Sequence, residues 1–312
     1  MARPTSGAAW DALKRAADAA GGPANVADQD SDHDTRTLAA ALVAARSGDG
    51  VALMRVVDGI GAAIGTEAGG RTLALGRNLP SYVVAADVIG LRRVAPSLDA
   101  RFRAWLAAVR TAPLDGDTLI STHEQRPNNW GTMAGAARIA ANLYLGDTAD
   151  LLRAVYVFKG WLGDRSEHRA FAFGDLSYQG DAGAPRGVNA TGAMKDGVSV
   201  DGALPDDMRR GCSFQVAPCH TVYPWEALQG ALVQAELLAR RGVDAWGWSD
   251  RALLRAAMYL HRLDLRHGGW WAQADDSWQP WLLNHAYGPW LRAASPSTPG
   301  KVMGFTDWTH AG

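Results

Sequence analysis

Apolar residues recur at three- and four-residue spacing along most of this chain, and strand-like alternation is scarce. The pattern is clear in "TRTLAAALVAARSGDG", "SLDARFRAWLAAVRTAP", "WGTMAGAARIAANLYLGD", "TADLLRAVYVFKGWLGD" and "PWEALQGALVQAELLARRG". Start and stop residues bracket the segments: in "SGAAWDALKRAADAAGG" a Ser precedes the helical run and a Gly pair ends it. "DGIGAAIGTEAGG", "LPSYVVAADVIGL" and "SDRALLRAAMYLHRLDLRHGG" continue the series. Short Gly, Asp or Ser turns join the helices in pairs, which suits stacked antiparallel hairpins. The expected fold is all-α, with hairpins closing into an (α/α) barrel or toroid that carries a groove across one face. No sharp linker interrupts the pattern, so residues 1–312 are expected to form a single domain.

Residues 172–222 break the helical pattern, being rich in Gly, Asp and Pro. A loop of that length in a compact domain is functional or disordered. Aromatic residues and cysteines spread through it favour function. It carries Tyr178, Lys195, Arg209, Arg210 and His220 and leads into Tyr223. Its two cysteines, Cys212 and Cys219, are either a small disulfide, suited to an oxidising compartment, or two reduced thiols. Their spacing does not fit a CxxC metal or redox site.

Composition narrows the function classes. A formal net charge of −1 argues against a nucleic-acid partner, and the longest apolar runs are too broken by charge and glycine to span a membrane. The opening "MARPTSGAAW" has no signal-peptide apolar core, so the chain is cytoplasmic or begins after a removed leader. Thirteen tryptophans stand beside only six phenylalanines and crowd the last third. Tryptophan offers a flat apolar face and one N–H donor, which suits stacking on sugar rings as well as filling a core. The alternating Asp of "DQDSDHDT" lack the Gly and closing Glu of a calcium loop, so a solvated, helix-capping loop is expected.

Three clusters carry candidate chemistry. "STHEQRPNNWG" brings His123, Gln125, Arg126, Asn128, Asn129 and Trp130 to a helix start, where one Asn can cap the helix and the rest can bind a carboxylate. "RRGCSFQVAPCHTVYPWEALQG" sets Arg209, Arg210 and His220 before Tyr223 at another helix start. A tyrosine phenol ordinarily titrates near ~10 and cationic neighbours favour its anion. "DDSWQPWLLNHAYGPW" offers Trp278, Gln279, Trp281, Asn284, His285 and Tyr287 as a sugar-subsite wall, with Lys301 further on, and "GRNLPSY" brings Arg77, Asn78 and Tyr82 to a helix entrance.

The stretches "RPNNWGTMAGAARIAANLYLGD", "GWLGDRS", "PDDMRRG", "YPWEALQGALVQAELL", "DSWQPWLLN" and "GFTDWTH" resemble the alginate lyase superfamily of polysaccharide lyases, and most closely its glucuronan (cellouronate) lyase branch. "GRNLPSYVVAAD" extends the likeness upstream. The resemblance implies an (α/α) barrel of six or seven hairpins and β-elimination on a uronate polymer. It also implies an acidic polysaccharide as partner. No ligand cluster in the sequence demands a metal and no cofactor is expected; a polymer too large to import favours a periplasmic or secreted enzyme over a cytoplasmic one, and a monomer is favoured. Where the family's alginate lyases carry Asn followed by His, this chain has Asn129 followed by Trp130.

Elimination removes the C5 proton of a 4-linked uronate and expels the O4 sugar. Groups that neutralise the C5 carboxylate stabilise the enolate-like intermediate; the candidates are Asn128, Asn129, Gln125 and one Arg. In glucuronate and mannuronate the C5 hydrogen and O4 lie on one side, so a single group can act as base and then acid. Tyr223 is expected in that role, assisted by His123 or His220, with Tyr178 and Tyr287 in reserve. A glycoside hydrolase would instead need two opposed carboxylates, from Glu124, Asp175 and Glu226. A non-catalytic sugar-binding module is the third possibility.

Overall fold

The computed structural model describes residues 3–311. Its helices, in chain order, are α1 (Ala8–Asp18), α2 (His33–Ser47), α3 (Gly50–Ala63), α4 (Thr72–Ile89), α5 (Leu91–Val94), α6 (Pro96–Val109), α7 (Leu119–Gln125), α8 (Asn129–Leu145), α9 (Thr148–Leu162), α10 (Pro205–Met208), α11 (Tyr223–Ala239), α12 (Trp248–His267), α13 (Gln279–Tyr287) and α14 (Thr306–Thr309). The fold is all-α. Within residues 172–222 a small antiparallel ribbon pairs β1 (Met194–Lys195) with β2 (Val198–Ser199), Met194 facing Ser199.

Local chemistry explains many of the ends. Asp49 and Asp147 cap α3 and α9 through their side chains, and Thr118 and Ser121 form a reciprocal capping box on α7. Gly48, Gly90 and Gly146 close α2, α4 and α8 in the left-handed conformation.

Packing runs from α1 through α2, α4, α8, α11, α13 and α14 and returns to α1, so the helices close a ring. Helices α3, α6, α9 and α12 pack against that ring. α8 is its central stave: Met133, Ala136 and Ile139 join one buried cluster, and Ala134, Ala137 and Ala140 join the other. Two glycines let its neighbours approach to backbone contact. A Cβ on Gly76 of α4 would lie 3.0 Å from Ala134 N, and one on Gly230 of α11 would lie 2.3 Å from Thr132 C. At the other end, Val88, Leu143 and Leu237 of the same three helices line one cavity of about 410 Å³. Helices α4, α8 and α11 are therefore parallel, with their N-termini at a common end.

Two local expectations change. "GRNLPSY" is not a helix entrance: α4 begins at Thr72 and continues through Pro80, so Arg77, Asn78 and Tyr82 lie inside it and are buried. The Pro marks a start by local rules, but tertiary packing carries the helix across it. The acidic loop is solvated only in part. Asp28, Asp30 and Asp32 are exposed, whereas Asp34 is fully buried and pairs with Lys301 Nζ at 2.6 Å. Lys301 also donates to Ser31 O and Asn78 Oδ1, which ties the C-terminal segment to this loop.

Candidate active site

The common N-terminal end of the parallel helices gathers the polar residues that the core excludes. Helix N-termini present free N–H groups and a positive dipole end, which suits an anionic ligand. The two adjacent asparagines divide their work. Asn128 caps α8, accepting from Trp130 N at 3.2 Å, and its Nδ2 donates to Asp206 Oδ2 at 3.0 Å. Asn129 is thereby free of capping and faces a set of side chains brought from distant parts of the chain. Its Nδ2 donates to Glu226 Oε2 at 2.7 Å, its Oδ1 accepts from Arg210 Nη1 at 3.0 Å, and its backbone N–H donates to Asp207 Oδ1 at 3.0 Å. With oxygen and nitrogen both engaged, the amide has one orientation.

Arg210 is exposed, and its guanidinium carbon lies 3.3 Å from the centroid of the half-buried Tyr223 ring. Tyr223 opens α11, and Glu226 and Gln229 follow at three-residue steps on the same helix. Gln229 Nε2 and Gln279 Nε2 each donate to Asp276 Oδ1 at 2.8 Å, and Gln279 also bonds Trp225 O at 3.2 Å. Burial pushes the Asp276 carboxyl up to about 7 despite the Gln229 hydrogen bond. The Asp207 carboxyl is raised well above its ordinary range, first by burial and then by the Asp206 charge. Asp206 is held by Arg209 Nε at 2.7 Å and Gly174 N at 3.1 Å, so Arg209 serves the support beneath Asn128.

Cys212 and Cys219 form a disulfide, closing the loop between Arg210 and Tyr223. The remaining residues singled out in the sequence lie elsewhere. His123 is buried under α8, where its Nε2 would meet a Cβ on Gly135 at 2.6 Å. Burial, then the Arg138 charge, holds its pKa well down. His220 is exposed, bonds Gly269 O at 2.9 Å and meets the Trp270 ring edge-on. Gln125 is exposed, and its backbone carbonyl accepts from Ala172 N. Arg126 pairs with Asp117 at 2.9 Å and covers Trp130. Arg77 is buried, with Nε lacking a partner among the described residues, and its charge acts on Asp276.

Three of the four singled-out tyrosines are not brought to Asn129. Tyr82 Oη bonds His33 Nδ1 at 2.7 Å in the core, Tyr178 is fully buried against Phe214, and Tyr287 Oη donates to Trp246 O at 2.7 Å. Burial raises all three. The expected sugar-subsite wall is divided: Trp278 and Gln279 are buried, Trp281, Asn284 and Tyr287 are partly exposed, and His285 is exposed. Trp278 is fully buried, Trp281 Nε1 bonds Ala294 O, and Asn284 bonds both polar backbone atoms of Leu291. Of the carboxylates a hydrolase would use, Glu124 is held by Arg153 and Arg138, and Asp175 is held by Ser213 and Ser177. Sequence reasoning missed Asp206, Asp207, Gln229 and Asp276. The signal available for all four was their place in the family-like stretches "PDDMRRG", "YPWEALQGALVQAELL" and "DSWQPWLLN".

The family model described as alginate lyase matches residues 82–270, three fifths of the chain and nearly all of the cluster around Asn129. No curated protein matches the chain. The chain belongs to the alginate lyase family and is a polysaccharide lyase acting on an acidic, uronate-containing polymer.

Proposed function

Starting from an alginate lyase family member, we propose that this chain cleaves a 4-linked polyuronate by syn β-elimination, with β-1,4-glucuronan as its polymer. The observation that carries the reading is the Asn129 amide clamped between Arg210 and Glu226, with Tyr223 under the Arg210 guanidinium. The C5 carboxylate docks on the second Nδ2–H of Asn129 and on Arg210. These donors neutralise it, so negative charge can spread from C5 into the carboxylate as the proton leaves. The Tyr223 oxygen, as phenolate, takes the C5 proton. The C5–H electron pair forms the C4=C5 double bond, the C4–O4 bond breaks, and O4 leaves with the proton that Tyr223 returns. Glu226 orients Asn129 from behind.

Trp130 follows Asn129 where family lyases have His. An indole N–H is a donor only and cannot act as the base at neutral pH. Both steps of proton transfer therefore fall to Tyr223. Preference for glucuronan rests on the likeness of "RPNNWGTMAGAARIAANLYLGD" and "GFTDWTH" to that branch. The family match equally favours polymannuronate, whose C5 hydrogen and O4 share the same geometry. The Cys212–Cys219 disulfide supports a periplasmic or secreted location, because such bonds persist in oxidising compartments. The closed helical ring supports a single catalytic domain.

The test is ultraviolet absorbance of unsaturated uronate on glucuronan, polymannuronate and polyguluronate, for the native chain and for Tyr223→Phe. A rise on glucuronan that Tyr223→Phe abolishes is expected. A rise on polymannuronate alone replaces the substrate. New reducing ends without absorbance overturn the elimination.

A further inference from the structure

We propose that Arg71, Trp130 and Arg126, with the cavity beside Arg71, form a second carboxylate-reading subsite for a uronate residue away from the scissile bond. The inference rests on the polyuronate reading above and adds where a longer chain is held.

Trp130 is half-buried and follows Asn129 at the start of α8, but its ring meets a different set of side chains. Two guanidinium groups cover its indole. The Arg126 carbon lies 4.8 Å from the ring centroid and the Arg71 carbon 5.3 Å. The indole therefore orients two planar forks of N–H donors. Arg126 is already matched by Asp117 at 2.9 Å. Arg71 is exposed and bonds the neutral Gln29 Oε1 at 2.9 Å, so that contact does not offset its charge and its other donors face outward.

Arg71 also lines a cavity of about 500 Å³ with Ala27, Gly69, Gly70, Pro113, Leu114 and Asp115. That volume lies within the roughly 300–1,000 Å³ of small-ligand clefts. Two of its lining residues are bare backbone, and Gly70 has no room for a side chain because a Cβ would sit 2.7 Å from Ala27 Cα. Pro113 and Leu114 complete the lining. Asp115 is exposed on the rim, so the cavity does not select anions by net charge. Selection comes from the directed, bidentate N–H pair of Arg71. Arg71 thus links the Trp130 ring, which follows Asn129 at the start of α8, to this cavity.

Arg71→Ala, and Arg71→Gln as a variant that can keep the Gln29 contact, are compared with the native chain on uronate hexamer and trimer. The loss of kcat/KM on hexamer should exceed the loss on trimer by about ten-fold, the scale of one charge-assisted hydrogen bond. Equal losses on both lengths, or none on hexamer, overturn the subsite. Calorimetric titration in the Tyr223→Phe background gives a readout independent of turnover: the Arg71 change should weaken hexauronate binding and leave binding of a neutral hexamer of the same linkage unaltered. If the native chain eliminates no polyuronate, the functional reading fails, and this titration still decides the subsite.

Discussion

Asn129→Asp tests the chemistry of the site and the cost of burying a charge there. The substitution is isosteric but replaces the Nδ2 donor with a carboxylate oxygen facing Glu226 Oε2 at 2.7 Å, while the other oxygen keeps Arg210 Nη1 at 3.0 Å. At an effective dielectric of about 20, unit charges at those separations interact by about 6 kcal/mol repulsive and about 5.5 kcal/mol attractive. The two nearly cancel, but the new carboxylate also loses its water at this buried position beside Asp207, so the variant should fold with a lowered melting temperature. What it loses is the donor aimed at the substrate carboxylate, and it gains a like charge there. Loss of one preorganised donor of this kind lowers kcat by about 10²–10³. The assay is initial-rate ultraviolet absorbance on the cleaved polymer, with circular-dichroism melting as the folding control. A folded variant with kcat within about ten-fold of native would remove Asn129 from carboxylate stabilisation and refute the reasoning.

Other consequences follow from packing, cross-linking and burial. Gly230→Ala forces a Cβ to 2.3 Å from Thr132 C and 2.4 Å from Met133 N, both backbone, and should destabilise by about 1–3 kcal/mol or more in a denaturant melt. Replacing Cys212 and Cys219 by Ser frees a loop with a sequence separation of 7. Chain entropy puts that loss near 2.5 kcal/mol. It also unlinks Arg210 from Tyr223, so kcat should fall more than KM rises, and dithiol reduction of the native chain should reproduce the effect in a steady-state assay. Asp276 has a folded pKa of about 7, above its unfolded value, so the folded state binds the extra proton between those values. Its contribution to stability therefore falls as pH rises from about 4 to about 7 and is level above that. Asp276→Asn should flatten that slope in urea melts taken at pH 5 and pH 8, and an unchanged slope would exclude the group.

Much of the helical frame was legible because helix ends are chosen by neighbours in sequence. Asp49, Thr118, Asn128 and Asp147 cap, and Gly48, Gly90 and Gly146 stop, using hydrogen bonds that span a few residues. The three- and four-residue repeat decided the all-α class, and "RPNNWG" with its companion segments pointed to the family. The start of α4 was misread because a local Pro rule met a helix held by burial. The site itself needed the tertiary structure. Tyr82, Tyr178, Tyr223 and Tyr287 each lie within two residues of a polar side chain in the sequence, yet Tyr223 is the one brought to Asn129's partner Arg210. Asn129 meets Glu226 across a separation of 97 residues, and Asn128 meets Asp206 across 78. Such pairings depend on which helices run parallel and how closely Gly76 and Gly230 let them approach. The same packing decides which carboxylates lose water. Local sequence encodes backbone hydrogen bonds and apolar faces, whereas proximity across the ring and the desolvation that shifts Asp207 and Asp276 exist only once the ring has closed.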